Sequence, residues 1–326
     1  MSPGPRLAVT LGDPRGIGPE VAAAALRAIG ASARITVIGA EDQIEAVPAD
    51  TRVTVGTWRS GIGQQPGDRS RVVRAGQLAG HAVERAVKLV LEGKVDAIVT
   101  GPVEKLALHA AGFPFPGQTE WLGQLAGGVD PVMMLVAGSP PLRVVLVTTH
   151  VALRDVPGLL TTERIVRTGR ITCAALVERF GIAAPRLALC ALNPHAGEQG
   201  LFGDEEERVL APAAWALGIA GPLPADTVFV RALRGEFDAV LAPYHDVGMT
   251  AVKVAGFGSG VNVTLGLPFI RTAPDHGTAF DIAGKGVADP GSMTAAVSLA
   301  IELAQPRQRS TVNGQREQPH GQESLP

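Results

Sequence analysis

Three stretches share one local grammar: RVVLVTTH (143–150), RLALCALNPH (186–195) and DAVLAPYH (238–245). Each is a short apolar run that closes on a histidine. A run of four to eight apolar residues bounded by turn residues reads as a strand buried on both faces. Working outward, further runs of this kind are 7–11, 34–38, 97–100, 132–136 and 262–265. With the runs at 143–148, 187–191 and 239–241 they predict eight strands. Between them lie amphipathic or Ala-rich segments at 19–29, 75–92, 120–126, 162–179, 205–217 and 292–304, which predict helices. Pro19 and Glu20 suit a first helical turn, Thr161 or Thr162 offers a cap, and Gly93 and Gly218 fall where helices should stop. Strands alternating with helices indicate an α/β protein with a largely parallel sheet.

The bulk numbers bound the function classes. With 326 residues, 46% apolar and 18% charged, the chain is a globular protein of about two domains. A formal net charge of -2 gives no reason to expect nucleic acid or an anionic membrane as partner, and 4% aromatic content weakens any base-stacking role. Cys173 and Cys190 show no C-x-x-C spacing, and Cys190 sits in an apolar run where a buried, reduced thiol is expected. No apolar stretch reaches membrane-spanning length and the N-terminus lacks a signal-peptide layout, so a cytoplasmic location is expected. The segment after Gln305 has almost no large apolar residue and reads as a flexible tail over 306–326, His320 included.

Residues just past the carboxyl ends of parallel strands gather along one sheet edge, where open α/β folds place ligands. His150, His195 and His245 all fall at such positions. Delivered there together, they form an open metal site with room for water or substrate; taken singly, each satisfies a loop carbonyl. Asp246, next to His245, suits a further ligand or a carboxylate that orients an imidazole. Lys253, Asn262 and Arg271 cluster around glycine-rich turns and could grip a phosphate or carboxylate, Arg271 bidentately. Gln118 and Thr119 stand where a helix should begin, a position that favours anions, though Thr119 also fits a plain cap. GDPRGIGPE (12–20) is neither a dinucleotide fingerprint nor a Walker sequence; by itself it signals a tight strand-to-helix turn.

In order along the chain stand GDPRGIGPE, TGPVEK, GQTEWL, TTH, LNPHAGE, GPLPADT, APYHD, GVNVTLGLPFIRT and DHGTAFDIAGKG. From Leu7 to about Leu303 this series resembles the 4-hydroxythreonine-4-phosphate dehydrogenase family of vitamin B6 biosynthesis. The resemblance implies an isopropylmalate-dehydrogenase-like fold: two α/β/α domains with a cleft between them, in a homodimer whose active site lies near the dimer interface. The expected division is 1–130 plus about 285–305 as one domain and 131–284 as the second. By motif, the family's metal ligands fall on His150, His195 and His245, and its substrate contacts on Thr119, Lys253, Asn262 and Arg271. Asp226 and Asp246 are candidates near the metal, as a water-mediated base, with Lys253 in the same catalytic group. The 276–289 stretch resembles the cofactor loop of the wider group, so His276, Gly277, Thr278 and Ala279 are expected against the adenosine half of NAD or NADP, with Asp281 and Asp289 as further contacts. A carboxylate at Asp281 facing a ribose 2′-hydroxyl favours NAD.

Gln118 departs from the family, which usually has histidine there; it cannot become cationic. The implied reaction oxidises the 3-hydroxyl of 4-phosphooxy-L-threonine to a β-keto acid that decarboxylates to 3-amino-2-oxopropyl phosphate. A relative's substrate, threonate or erythronate 4-phosphate, is the alternative. The metal is zinc, cobalt, magnesium or manganese; neutral imidazoles suit the first two, added carboxylate and water the others. A non-redox metal enzyme, such as an aldolase or phosphatase, and a binding protein without turnover are the rival classes.

Overall fold

A computed structural model describes residues 4–59 and 69–305; the expected tail lies outside the described residues. The strands are β1 (Arg6–Thr10), β2 (Arg34–Gly39), β3 (Thr51–Thr54), β4 (Ala97–Thr100), β5 (Val132–Ala137) and β6 (Leu142–Leu146), then β7 (Leu187–Cys190), β8 (Ala220–Leu223), β9 (Ala239–Ala242), β10 (Val261–Leu265) and β11 (Ile270–Pro274). They form one sheet in the order β3-β2-β1-β4-β11-β10-β5-β6-β9-β7-β8. Seven of its ten ladders are parallel, so the expectation of a largely parallel sheet holds. The three antiparallel ladders join β11, β10, β5 and β6 at the centre. There β5–β6 and β10–β11 are linked by short turns, which only antiparallel neighbours allow.

The helices are α1 (Gly18–Ile29), α2 (Glu41–Ile44), α3 (Arg69–Leu91), α4 (Lys105–Ala110), α5 (Gln118–Leu125) and α6 (Val156–Leu159), followed by α7 (Thr162–Glu178), α8 (Ala211–Leu217), α9 (Ala225–Leu233), α10 (His245–Gly256) and α11 (Gly291–Ala304). The Thr161 hydroxyl accepts the Arg164 N–H and caps α7, and Gly218 ends α8 in the left-handed region at φ 64°. Alternation along each strand fills both faces of the sheet. Leu7 and Val9 join a core with α1 and α11, while Ala8 and Ile98 join one with α3. In the other half, Val145 and Leu189 face α7 and α8, whereas Val144, Ala188 and Val240 face α9 and α10. The C-terminal helix α11 packs on α1, β4 and β11.

Three strands escaped the sequence reading for identifiable reasons. β3 is a polar, mostly exposed edge, and β8 holds Gly221 and Pro222 at the opposite edge, where proline is tolerated. β11 contains Arg271 and Pro274, so it lacks an apolar run, yet all five of its residues are buried.

Candidate active site

The three histidines follow β6, β9 and β7, three neighbouring parallel strands, so their loops leave the same sheet edge. The first two meet: the rings of His150 and His245 lie 5.5 Å apart, centroid to centroid. His245 opens α10 and its Nδ1–H donates to Asp246 Oδ1 at 2.7 Å, which leaves Nε2 free as a ligand. Burial, with help from Lys105 and His245, pushes the His150 imidazole toward its neutral, ligating form. His195 behaves differently. Its side chain is 65% exposed and its Nδ1–H donates to Glu198 Oε2 at 3.1 Å, again leaving Nε2 free. It does not line the cavity that holds the other two. Among the described residues, no three His, Cys, Asp or Glu side chains of this chain converge on a metal position.

That cavity, about 350 Å³, is walled by β4, α5, β10, β11 and the start of α10. Gln118, Thr119, Asn262, Arg271, His276 and Gly277 of the expected residues line it with His150 and His245. Arg271 decides its character. The residue is 3% exposed, and its guanidinium donates to Thr100 Oγ1 through Nε at 3.1 Å and Nη2 at 2.7 Å, to Thr264 Oγ1 through Nη1 at 2.9 Å, and to Gln118 Oε1 through Nη2 at 3.3 Å. All three acceptors of these four hydrogen bonds are neutral, and one N–H of the fork is unused. Burial pulls its pKa down to about 10 against the opposing pull of Glu120, so the group remains cationic at neutral pH. A buried charge with no ion-pair partner in contact is costly unless a ligand supplies the anion.

Two more groups wait for partners: Asn262 Oδ1 and His276 Nε2 are buried without a hydrogen bond, and both residues line the cavity. Gln118 has spent its amide, donating to Gly101 O at 3.3 Å while accepting from Arg271. Lys253 is outside the lining; its ammonium is held by Asp275 Oδ2 at 2.6 Å, and Asp275 does line it. Lys105, Glu120 and Asp275 are wall residues that sequence reasoning left without roles, although TGPVEK, GQTEWL and DHGTAF, which contain them, had been singled out. Asp226 and Asp246 are exposed and off the lining, Asp246 touching the site only through His245.

The expected cofactor loop lies against the first strand-to-helix turn. The Ile17 N–H donates to Thr278 O at 2.9 Å, and a Cβ on Gly16 would stand 2.6 Å from that same oxygen, so only glycine fits. Ala279 adopts φ 44°, and Arg15, bound to Asp13 and Glu104, stacks 4.7 Å over the Phe280 ring. Asp281 and Asp289 are exposed, and Asp289 accepts the Gly291 N–H.

A largely parallel α/β sheet, paired strand-end imidazoles and a buried cationic floor define a class of enzymes that handle anionic substrates. The chain belongs to the pyridoxal phosphate biosynthetic protein PdxA family, whose model matches residues 9–300. It is 45% identical to a 4-hydroxythreonine-4-phosphate dehydrogenase of Methylorubrum populi over 92% of this chain and 94% of the relative. It is 46% identical to a D-threonate 4-phosphate dehydrogenase of Cupriavidus necator, over 92% and 97% of the two. A crystal structure of the Klebsiella pneumoniae 4-hydroxythreonine-4-phosphate dehydrogenase superposes with a TM-score of 0.79 at 39% identity, covering 92% of this chain and all of that one. A β-decarboxylating dehydrogenase of Thermococcus kodakarensis, 17% identical with a TM-score of 0.51, shares the fold. No helix among the described residues is long and apolar enough to cross a membrane.

Proposed function

We propose that the chain oxidises the secondary alcohol of a phosphorylated hydroxy acid, with NAD or NADP as hydride acceptor and a divalent cation at the histidines. The observation that carries this reading is the Arg271 guanidinium, buried at the cavity floor with only neutral partners and a free N–H. A phosphate or carboxylate there completes its hydrogen bonds and offsets its charge. Asn262 Oδ1 has room to accept from a substrate hydroxyl or ammonium.

His150 and His245 supply two imidazole nitrogens, and open catalytic sites use about three protein ligands. The third, His195, is exposed and does not line the cavity, so in this reading it completes the site of a second copy, in a homodimer. The cation supplies Lewis acidity toward the substrate hydroxyl and the nicotinamide supplies the acceptor for hydride. Asp246 fixes the His245 tautomer, Asp275 pairs with the Lys253 ammonium, and Thr278 and Ala279 anchor the loop proposed to face the adenosine. Asp281 near the ribose would favour NAD. The division into 1–130 with 285–305 and 131–284 belongs to the same reading, supported by α11 packing on α1.

4-Phosphooxy-L-threonine is the first candidate substrate. D-threonate 4-phosphate is the second, favoured by the Cupriavidus relative and by the neutral Gln118. A screen of both for nicotinamide reduction, with and without a chelator, tests the reading on wild type and Gln118→His. Chelator-sensitive turnover of either one supports it; turnover of neither, with metal and both cofactors present, refutes it.

A further inference from the structure

The loop carrying His195 has a backbone that L-residues rarely adopt. His195, Ala196, Gly197, Glu198 and Gln199 have φ of 52°, 57°, 80°, 43° and 57°, a complete left-handed turn in which only one residue is glycine. Such a turn is disfavoured at every non-glycine position, so surrounding structure has to impose it.

One buried group stands where it can do so. Glu206 begins a π-helical turn, Glu206–Leu210, that leads into α8, and it is only 6% exposed. Its Oε1 accepts the backbone N–H groups of Leu192 at 2.8 Å and Asn193 at 2.7 Å, and its Oε2 accepts from Asn193 Nδ2 at 2.9 Å. The neighbouring Glu205 Oε2 takes the same Asn193 amide at 2.7 Å. The turn also rests on this carboxylate: a Cβ on Gly197 would lie 3.0 Å from Glu206 Oε2. Gly203 closes the far side, where a Cβ would lie 2.6 Å from Asn193 Nδ2 and from Glu205 Oε2. The two residues that Glu206 grips lie between β7 and Pro194, so their orientation sets the direction in which His195 leaves the sheet. Local π-helical turns are frequent at functional sites.

We infer that Glu206 is a positioning residue for His195: through Asn193 and the left-handed turn it aims the imidazole, while Glu198 fixes the tautomer. The inference rests on the proposed role of His195 as a metal ligand. Glu206→Gln tests it, because the new amide nitrogen faces the Asn193 amide donor to donor. Gly197→Ala perturbs the same contact from the loop side and serves if the first variant does not fold.

The experiment titrates cobalt into the full chain and, separately, inorganic phosphate, on wild type, Glu206→Gln, Gly197→Ala and His195→Ala, with thermal unfolding of each. The expected result is cobalt affinity lowered roughly 10- to 100-fold in the Glu206 and Gly197 variants, as for other groups that orient a ligand, with phosphate affinity unchanged. Cobalt affinity within twofold of wild type in Glu206→Gln, alongside loss in His195→Ala, overturns the inference and leaves the metal reading standing. Equal weakening of cobalt and phosphate with a lower melting temperature overturns it in favour of a general structural role. Full cobalt affinity in His195→Ala overturns both.

Discussion

Arg271→Met should separate anion binding from folding, because the two respond with opposite sign. Burial pulls the guanidinium to about 10, so keeping it charged in the folded chain at neutral pH costs on the order of 3 kcal/mol. Its partners are two threonine hydroxyls and the Gln118 amide, and each hydroxyl can rotate to another acceptor once the guanidinium is gone. Replacing even a buried ion pair with apolar side chains of like volume is often neutral to stabilising by roughly 1–4 kcal/mol, and a charge without an ion pair has less Coulomb attraction to lose. The melting temperature of the variant should therefore hold or rise. Ligand binding runs the other way: a charge-assisted hydrogen bond is worth roughly 1.5–3 kcal/mol, so losing one weakens phosphate binding about 10- to 150-fold.

Calorimetric titration with inorganic phosphate and thermal unfolding, on the same preparations, read both effects. A pH series adds a control. The folded pKa lies below the unfolded one, so the unfolded chain binds the proton more tightly, and this cost is constant at neutral pH and relieved only as the pH rises above about 10. Wild type should gain stability from this group in that alkaline window and the variant should not. A melting temperature several degrees lower with unchanged phosphate affinity would refute the reasoning and make Arg271 a structural strut.

Three further predictions concern the scaffold. Burial pushes the Asp238 carboxyl up, but hydrogen bonds from the Arg186 backbone N–H, Nε and Nη2 outweigh it and hold the group below the usual range. The stability it contributes is present above about pH 4 and lost as the pH falls through the lower folded value; Asp238→Asn should cost about 1 kcal/mol at neutral pH in urea titrations and flatten that acid limb. Cys190, whose thiol burial and Glu206 push up to about 12, should resist alkylation in the native chain at mildly alkaline pH and react only on unfolding, as mass spectrometry of the labelled protein would show. Gly76→Ala should destabilise by roughly 2–4 kcal/mol in chemical unfolding, because the new Cβ would stand 1.9 Å from the Ala107 carbonyl of α4, and backbone there cannot swing aside.

How far the sequence could be read depended on what each residue packs against. Strands buried on both faces announce themselves as apolar runs, so β1, β2, β4, β5, β6, β7, β9 and β10 were legible, as were α1, α3, α5, α7, α8 and α11, whereas α9 and α10, which pack on the same sheet, were not. β11 was not, because its buried arginine is stabilised by threonines from β4 and β10, neighbours that only the sheet order supplies. Arg271 was still singled out, as an anion grip on a turn, and its place on a central strand was the part periodicity could not give. The strand-end rule found all three histidines, since it depends only on strand direction. It could not say which of them meet, because that depends on loop geometry past the strand: His245 turns straight into a helix, whereas Asn193 and the left-handed turn carry His195 outward.

Charge distribution explains why this cavity suits a phosphorylated acid better than a neutral diol. Lys253 is paired with Asp275, which lines the cavity, and Arg15 with Asp13 and Glu104 beside the loop at 276–289. Arg271 and Lys105, which both face the cavity, have no ion pair among the described residues, and Glu120 is the opposing charge that Arg271 feels. The two imidazoles beside them carry no negative charge in either protonation state, and a divalent cation would raise the positive excess further. Such a site binds a neutral ligand only by leaving those charges uncompensated, whereas one phosphate and one carboxylate nearly balance them. Removing the phosphate from the substrate should therefore weaken binding far more than removing the C2 substituent, and the loss should shrink in Arg271→Met, where the charge that phosphate answers is already gone. Equal losses in wild type and variant would break the link between Arg271 and the phosphate.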